Sequence, residues 1–356
     1  MKLPYATFLL FMKPAMSLMS RLRFTWKFSL ISGLFIMPLL LLGVGLIFEL
    51  KVQTDQIDSE VQGLQSINEI YKVMQSAERY RDLYLLDESD QDKDLLEKGE
   101  KIKHDLEEKI SNLEAYILVF NSESLTKRYK ILTDLWVSIK NNPSPSRGIT
   151  AKYQHYNALV VAGRGLIKDT ANTSRLVLDP EIESFLLINI LTQQLSKATE
   201  SMGLGRAMGT LALNSGYINS ELYEMLDQSY VGLDRDFDVI VTSLAYSAEV
   251  NPDLLNPIDE TITKAVASIK NMQDYLSINT IEAEMLEMTW ATFFEGSSVY
   301  IDNVYELIFK AIPFTETLLE RRYDKLTLNF IYISINTLLL LLIIFYLISG
   351  YVFFNY

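Results

Sequence analysis

Cysteine is absent from this chain, histidine occurs twice, and no acidic residue precedes Glu49 or follows Asp324. Without cysteine there is no disulfide, no thiolate metal site and no covalently attached haem, so a packed core must hold the fold. His104 and His155 stand far apart, without companion ligands at metal-binding spacing. No nucleophile is accompanied by a base at a recognisable spacing. The stretch GLGRAMG (Gly203–Gly209) has Met208 where a dinucleotide loop needs its third glycine, and no strand pattern precedes it. The sequence therefore points away from an enzyme, and no cofactor is expected.

Charge is missing from two stretches. Phe28–Phe48 and Leu326–Tyr356 carry no Asp, Glu, Lys or Arg. The first is about 31 Å long as a helix, enough to cross a bilayer, and the second is longer. Pro38 is tolerated inside a membrane helix, and Phe330, Tyr332, Tyr351, Phe353 and Tyr356 stand where interfacial aromatics gather. The tail before the first run holds Lys2, Lys13, Arg21, Arg23 and Lys27 and no acid, which the positive-inside rule assigns to the cytoplasm. Of 32 basic residues, 27 lie between the runs against all 45 acids, a net charge of −18. So acidic a segment is a poor partner for nucleic acid.

What is present is helical periodicity. Val61, Leu64, Ile67, Tyr71, Met74, Glu78, Arg81 and Leu85 form one 3-4 seam directly after the first apolar run. A second seam runs through Phe185, Ile188, Thr192, Leu195, Thr199, Met202, Arg206, Gly209 and Leu213. Asp179-Pro180 reads as its start signal, with Asp as cap and Pro at the first helical position. Turns are expected at Asp87–Asp94, Asn121–Ser124, Asn141–Gly148, Asn214–Ser220 and Asn251–Pro257, and a break near Gly296–Ser298.

The expected fold is all-α. Residues 1–27 form a cytoplasmic tail, 28–48 a membrane helix and 49–325 a periplasmic domain. Residues 326–350 form a second membrane helix, and 351–356 begin the return to the cytoplasmic side. The chain is expected in the bacterial inner membrane, its central domain two stacked four-helix bundles in the periplasm, paired as a homodimer along the first and last helices.

Candidate site residues are polar groups on inward seams. A buried arginine is costly unless paired. Arg81 and Arg206, with Arg79 and Glu78 nearby and Thr199 two turns before Arg206 on the same seam, are thus either internal ion pairs such as Glu78–Arg206, or heads that reach solvent, or a fork for a small anion or carboxylate; a cation held by surface acids is the remaining alternative. Gly203, Gly205 and Gly209 read as small residues that let a neighbouring helix approach.

The run DTANTSRLVLDPEIESFLLINILTQQL followed by GLGRAMGTLAL, set between two membrane helices, resembles the sensory half of bacterial transmembrane receptors of the methyl-accepting chemotaxis type. Tyr84-Leu85 after Arg79 and Arg81 is similar to the first-helix motif of nitrate- and nitrite-sensing or helical bimodular sensor domains. The resemblance implies a periplasmic sensor that passes a helix displacement to a cytoplasmic output, with first-helix arginines at the ligand. Such receptors continue into a signalling region. Here the sequence stops at Tyr356, so the output is expected in a continuation or another chain. The sensor half of a histidine kinase or diguanylate cyclase fits the same layout, as does a membrane adaptor that binds another protein.

Overall fold

The structure, a computed structural model, describes residues 12–14, 16–17, 19–22, 24–86, 93–142 and 148–354. Among them the chain is almost entirely helical and contains no strand. We name the main helices α1 (Phe24–Tyr84), α2 (Lys93–Leu118), α3 (Glu123–Asn141), α4 (Ile149–Thr173) and α5 (Ile182–Asn189). They continue as α6 (Leu195–Ser215), α7 (Ser220–Val250), α8 (Asp259–Leu276) and α9 (Trp290–Phe354). The expected acidic turn and the Asn141–Gly148 loop fall largely on residues 87–92 and 143–147, outside the described residues, as does most of the N-terminal tail.

Two compact units emerge. One consists of the chain up to Asp55 and from Arg322 onward; the other is Gln56–Arg321. In the first, the apolar parts of α1 and α9 are long enough to cross a membrane, and no protein buries them. Leu34, Phe48 and Tyr346 there are 68%, 70% and 76% exposed. Surfaces this apolar and this long are suited to lipid.

In the second unit, α1 to α4 and α6 to α9 form two series in which successive helices meet over apolar seams, most of them also joined by a polar contact. Leu64, Ile67, Tyr71 and Met74 of α1 are fully buried. Burying each such side chain contributes about 1.5–3 kcal/mol. Ser76 of α1 donates to Asp105 of α2 (2.7 Å), and Lys140 of α3 donates to Glu107 of α2 (2.7 Å). Arg128 of α3 donates to Asp169 of α4 (2.7 Å), and Gly163 of α4 leaves room for Met74 of α1. Helices α6 to α9 make a similar series: Ser229 of α7 donates to the Ser201 carbonyl of α6 (2.7 Å), and Gln273 of α8 to the Tyr230 carbonyl of α7 (3.2 Å). Asn303 of α9 then donates to Ser268 of α8 (2.9 Å), and Arg206 of α6 to Ser298 of α9 (3.1 Å).

Three expectations change. Helix α5 begins at Ile182, not at Pro180. Asp179 closes a 3-10 turn and accepts from the Glu181 N–H (2.9 Å), so Asp179 and Pro180 make the approach to the helix rather than its cap. The central seam is also interrupted by a wide π-turn at Ile190–Gln194. A π-turn holds one residue more than an α-turn and rotates what precedes it. Phe185 is accordingly 37% exposed, while Ile188 and the later seam positions are buried. The hydroxyl of Tyr71 donates to the Leu191 carbonyl inside this turn.

The third change is at Gly296–Ser298, which lies inside α9; the break falls instead between Ile281 and Trp290. Gly296 is small because a Cβ there would meet the Tyr275 hydroxyl at 2.5 Å. It serves packing, not chain reversal.

Candidate functional site

A buried ion cluster joins α1, α6 and α9. Asp82 is its centre: one carboxylate oxygen accepts from Arg81 Nε (2.7 Å), the other from Arg206 Nε (2.6 Å). The side chains of all three are at most 1% exposed. Arg81 Nη1 also donates to Asn157 Oδ1 (2.6 Å) and reaches the Tyr153 hydroxyl (3.4 Å), with its guanidinium carbon 5.0 Å from the Tyr153 ring centre. Arg206 lies over the Phe294 ring at 5.1 Å. Nη2 of each arginine is buried and has no protein partner.

Glu78 sits one turn below Arg81 on the same seam. It is 1% exposed, and neither carboxylate oxygen has a hydrogen-bond partner. Burial raises its pKa to about 7 against the pull of Arg81 and Arg206. Burial, with the Glu78 carboxyl beside it, also pushes the Tyr305 phenol well above its usual range. Thr199 is fully buried and donates back to the Ser196 carbonyl (3.2 Å). Two arginines from two helices face one aspartate, an arrangement that clamps α1 to α6.

The structure thus brings Glu78, Arg81, Arg206 and Thr199 together and separates Arg79 from them. Two residues before Arg81 is about 200° around a helix. Arg79 forks onto Asp302 of α9 through Nη2 (2.6 and 2.7 Å), with its side chain 38% exposed. The expected Glu78–Arg206 pair is replaced by Asp82–Arg206. Asp82 stands four residues after Glu78 and three before Leu85, a spacing as good as that of Arg81, and two inward arginines require an acid, so the sequence carries two signals for it.

No protein-family model, curated protein or solved structure matches this chain.

The three central glycines face three different helices. A Cβ on Gly203 would stand 2.6 Å from Arg81 Nη2, and one on Gly205 2.6 Å from Ser229 Oγ of α7. One on Gly209 would overlap the Phe293 ring of α9. The close approach expected of them is real, but to long side chains as well as to helices. The first of them seats the buried guanidinium of Arg81.

Beside the cluster lies a cavity of about 400 Å³ between α4, α6 and α7. Tyr153, Asn157, Leu204 and Met225 form its inner part, with Glu200 and Glu224 towards solvent. Tyr153 and Asn157, which line this cavity, are the same residues that hold Arg81. No sequence pattern marks them, because they sit on a different helix, about 70 residues from their partner.

Proposed function

We propose that this chain is a membrane-anchored signal-input module that binds a small molecule and passes the event to the far side of the membrane. One observation carries it: Arg81 is held from one side by two cavity-lining residues and from the other by Asp82, which also holds Arg206. A molecule in the cavity that displaces Tyr153 or Asn157 changes the partners of a buried charge. The helix bearing that charge, α1, is the one that includes the first apolar segment. Ser298, bonded to Arg206, belongs to the helix that includes the second. Packed interfaces switch between discrete arrangements, with helix shifts of about 1–2 Å.

In this reading the basic tail is cytoplasmic and the acidic domain lies in the periplasm. Two four-helix bundles, α1 to α4 and α5/α6 to α9, are the proposed arrangement, with α1 touching helices of both. Tyr71 of α1 meets Tyr305 of α9, and Met74 three residues on meets Gly163 of α4. The layout is that of the sensory half of a chemotaxis-type receptor, paired as a homodimer.

The absence of cysteine provides the test. Spin labels at Val52→Cys and Leu328→Cys, both on exposed apolar-unit positions, report the separation of the two membrane-flanking helices. Filling the cavity with Gln228→Trp should shift that separation by about 1–2 Å. An unchanged distance distribution in a protein that still folds refutes transduction from this cavity. A reporter fused after Glu320 that reads as cytoplasmic would refute the orientation.

A further inference from the structure

Resting on the reading of α1 and α9 as the path to the membrane, we propose that the buried cluster around Glu78 is a second input site, separate from the cavity, whose ligand is the proton. Its basis is an imbalance of hydrogen bonds where α1, α6 and α9 meet. Both carboxylate oxygens of Glu78 are buried without a partner, and so are Arg81 Nη2, Arg206 Nη2 and the Tyr305 hydroxyl. The four residues are each at most 1% exposed. Around these atoms the bonding is complete. Asp82 accepts from Arg81 and Arg206 on its two oxygens, Arg81 Nη1 is held by Asn157, and Arg206 Nη1 by Ser298. Arg81 Nη2 lies against α6, since a Cβ on Gly203 would stand 2.6 Å from it.

Such a set has two arrangements. With Glu78 protonated, two guanidinium charges face the one carboxylate of Asp82, a net charge of +1, and Glu78 needs no cationic partner. When the Glu78 O–H bond breaks and its proton leaves to water, the second carboxylate brings the net charge to 0 and requires donors. A buried carboxylate is costly to ionise without them. The unused donors are Arg81 Nη2 on its own helix, Arg206 Nη2 on α6 and the Tyr305 hydroxyl on α9. Two of the three stand on other helices, so ionisation draws α6 and α9 towards α1, and protonation releases them. Helices α1 and α9 are the two that include the apolar segments.

The groups that face Glu78 come from four helices. They are Tyr71, Arg81 and Asp82 of α1, Arg206 of α6, Tyr305 of α9 and, beyond Arg81, Tyr153 of α4. Arg79 is turned away and paired with Asp302. Burial pushes the three phenols above their usual range, Tyr153 to about 12, so they keep their protons. Against its burial, Arg81 is held charged by Asp82. Burial raises Glu78 to about 7, with Arg81 and Arg206 pulling the other way. Proton activity near neutrality therefore decides which arrangement the three helices hold.

Infrared difference spectra and spin-label distances of the full chain in lipid nanodiscs, both followed from pH 5 to 9, test this. The carbonyl band of a protonated, buried carboxyl should disappear with a midpoint near pH 7 and be absent from Glu78→Gln at every pH. Over the same range the separation between labels at Val52→Cys and Leu328→Cys should shift by about 1–2 Å. In Glu78→Gln it should stay at its acid-form value. Tyr305→Phe, which removes one donor from the ionised form, should raise both midpoints by about one pH unit. Constant distances in a protein whose Glu78 band titrates, or the same shift in Glu78→Gln, overturn the assignment. So does a Glu78 that stays ionised, or stays protonated, across the whole range. Gln228→Trp keeps the two inputs apart. If it moves the labels and pH does not, the proton site falls and the cavity stands. If pH alone moves them, the cavity falls and the proton site stands; if neither does, both fall.

Discussion

Replacing Glu78 by Gln isolates the least ordinary group in the protein. Glu78 is buried against Arg81, Asp82 and Tyr71 of its own helix, Arg206 of α6 and Tyr305 of α9. Its pKa rises from the ordinary 4.5 to about 7, chiefly through burial. A carboxyl with a raised folded-state pKa binds its proton more tightly folded than unfolded. Its contribution is therefore full below pH 4.5, declines as pH rises through about 7, and is flat above. The gap between these values corresponds to about 3 kcal/mol. Glutamine imitates the neutral acid, so Glu78→Gln should match the native chain near pH 4.5 and exceed its stability by about 3 kcal/mol at pH 8. For a domain of this size that is a difference of about 6 °C in Tm. Thermal melting of both proteins in the same nanodiscs from pH 4.5 to 8 measures it, and groups common to the two cancel. A pH-independent difference, or a variant less stable at pH 8, would mean that Glu78 is ionised and paired with the arginines at neutral pH. The account of its environment would then be wrong.

Asp82→Asn should be the most damaging single exchange in the cluster, costing about 3–5 kcal/mol, because it leaves two buried guanidinium groups without their carboxylate; urea melts of the purified chain check it. Gly209→Ala should cost about 1–3 kcal/mol through overlap with the Phe293 ring. Gly99→Ala, whose Cβ would meet only Tyr84 ring atoms at ordinary contact distance, should instead gain up to about 1 kcal/mol of helix propensity. Thermal melts of the two alanine variants should move in opposite directions. Asn219→Ala removes the side chain that accepts the Leu222 N–H at the start of α7 (2.8 Å) and should cost about 1 kcal/mol, visible as faster amide exchange in its first turn.

Much of this chain could be read without coordinates, for a local reason. Helix formation and suitability for a bilayer depend on residues close in sequence, so the uncharged runs, the all-helical class and the seam from Leu64 to Arg81 follow from spacing alone. Inward placement of Arg81, Arg206 and Thr199 was legible in the same way. Arg79 shows the limit: sequence proximity to Arg81 suggested a shared site, whereas the 100° step of a helix turns it towards Asp302. The π-turn at Ile190–Gln194 and the packing role of Gly296 were also hidden. Each is fixed by a residue on another helix, Tyr71 in one case and Tyr275 in the other. The cavity residues Tyr153 and Asn157 belong to this second class. What a buried charge pairs with is set by which helices cross at its height, and that is decided by side-chain packing over the whole domain rather than by any local spacing.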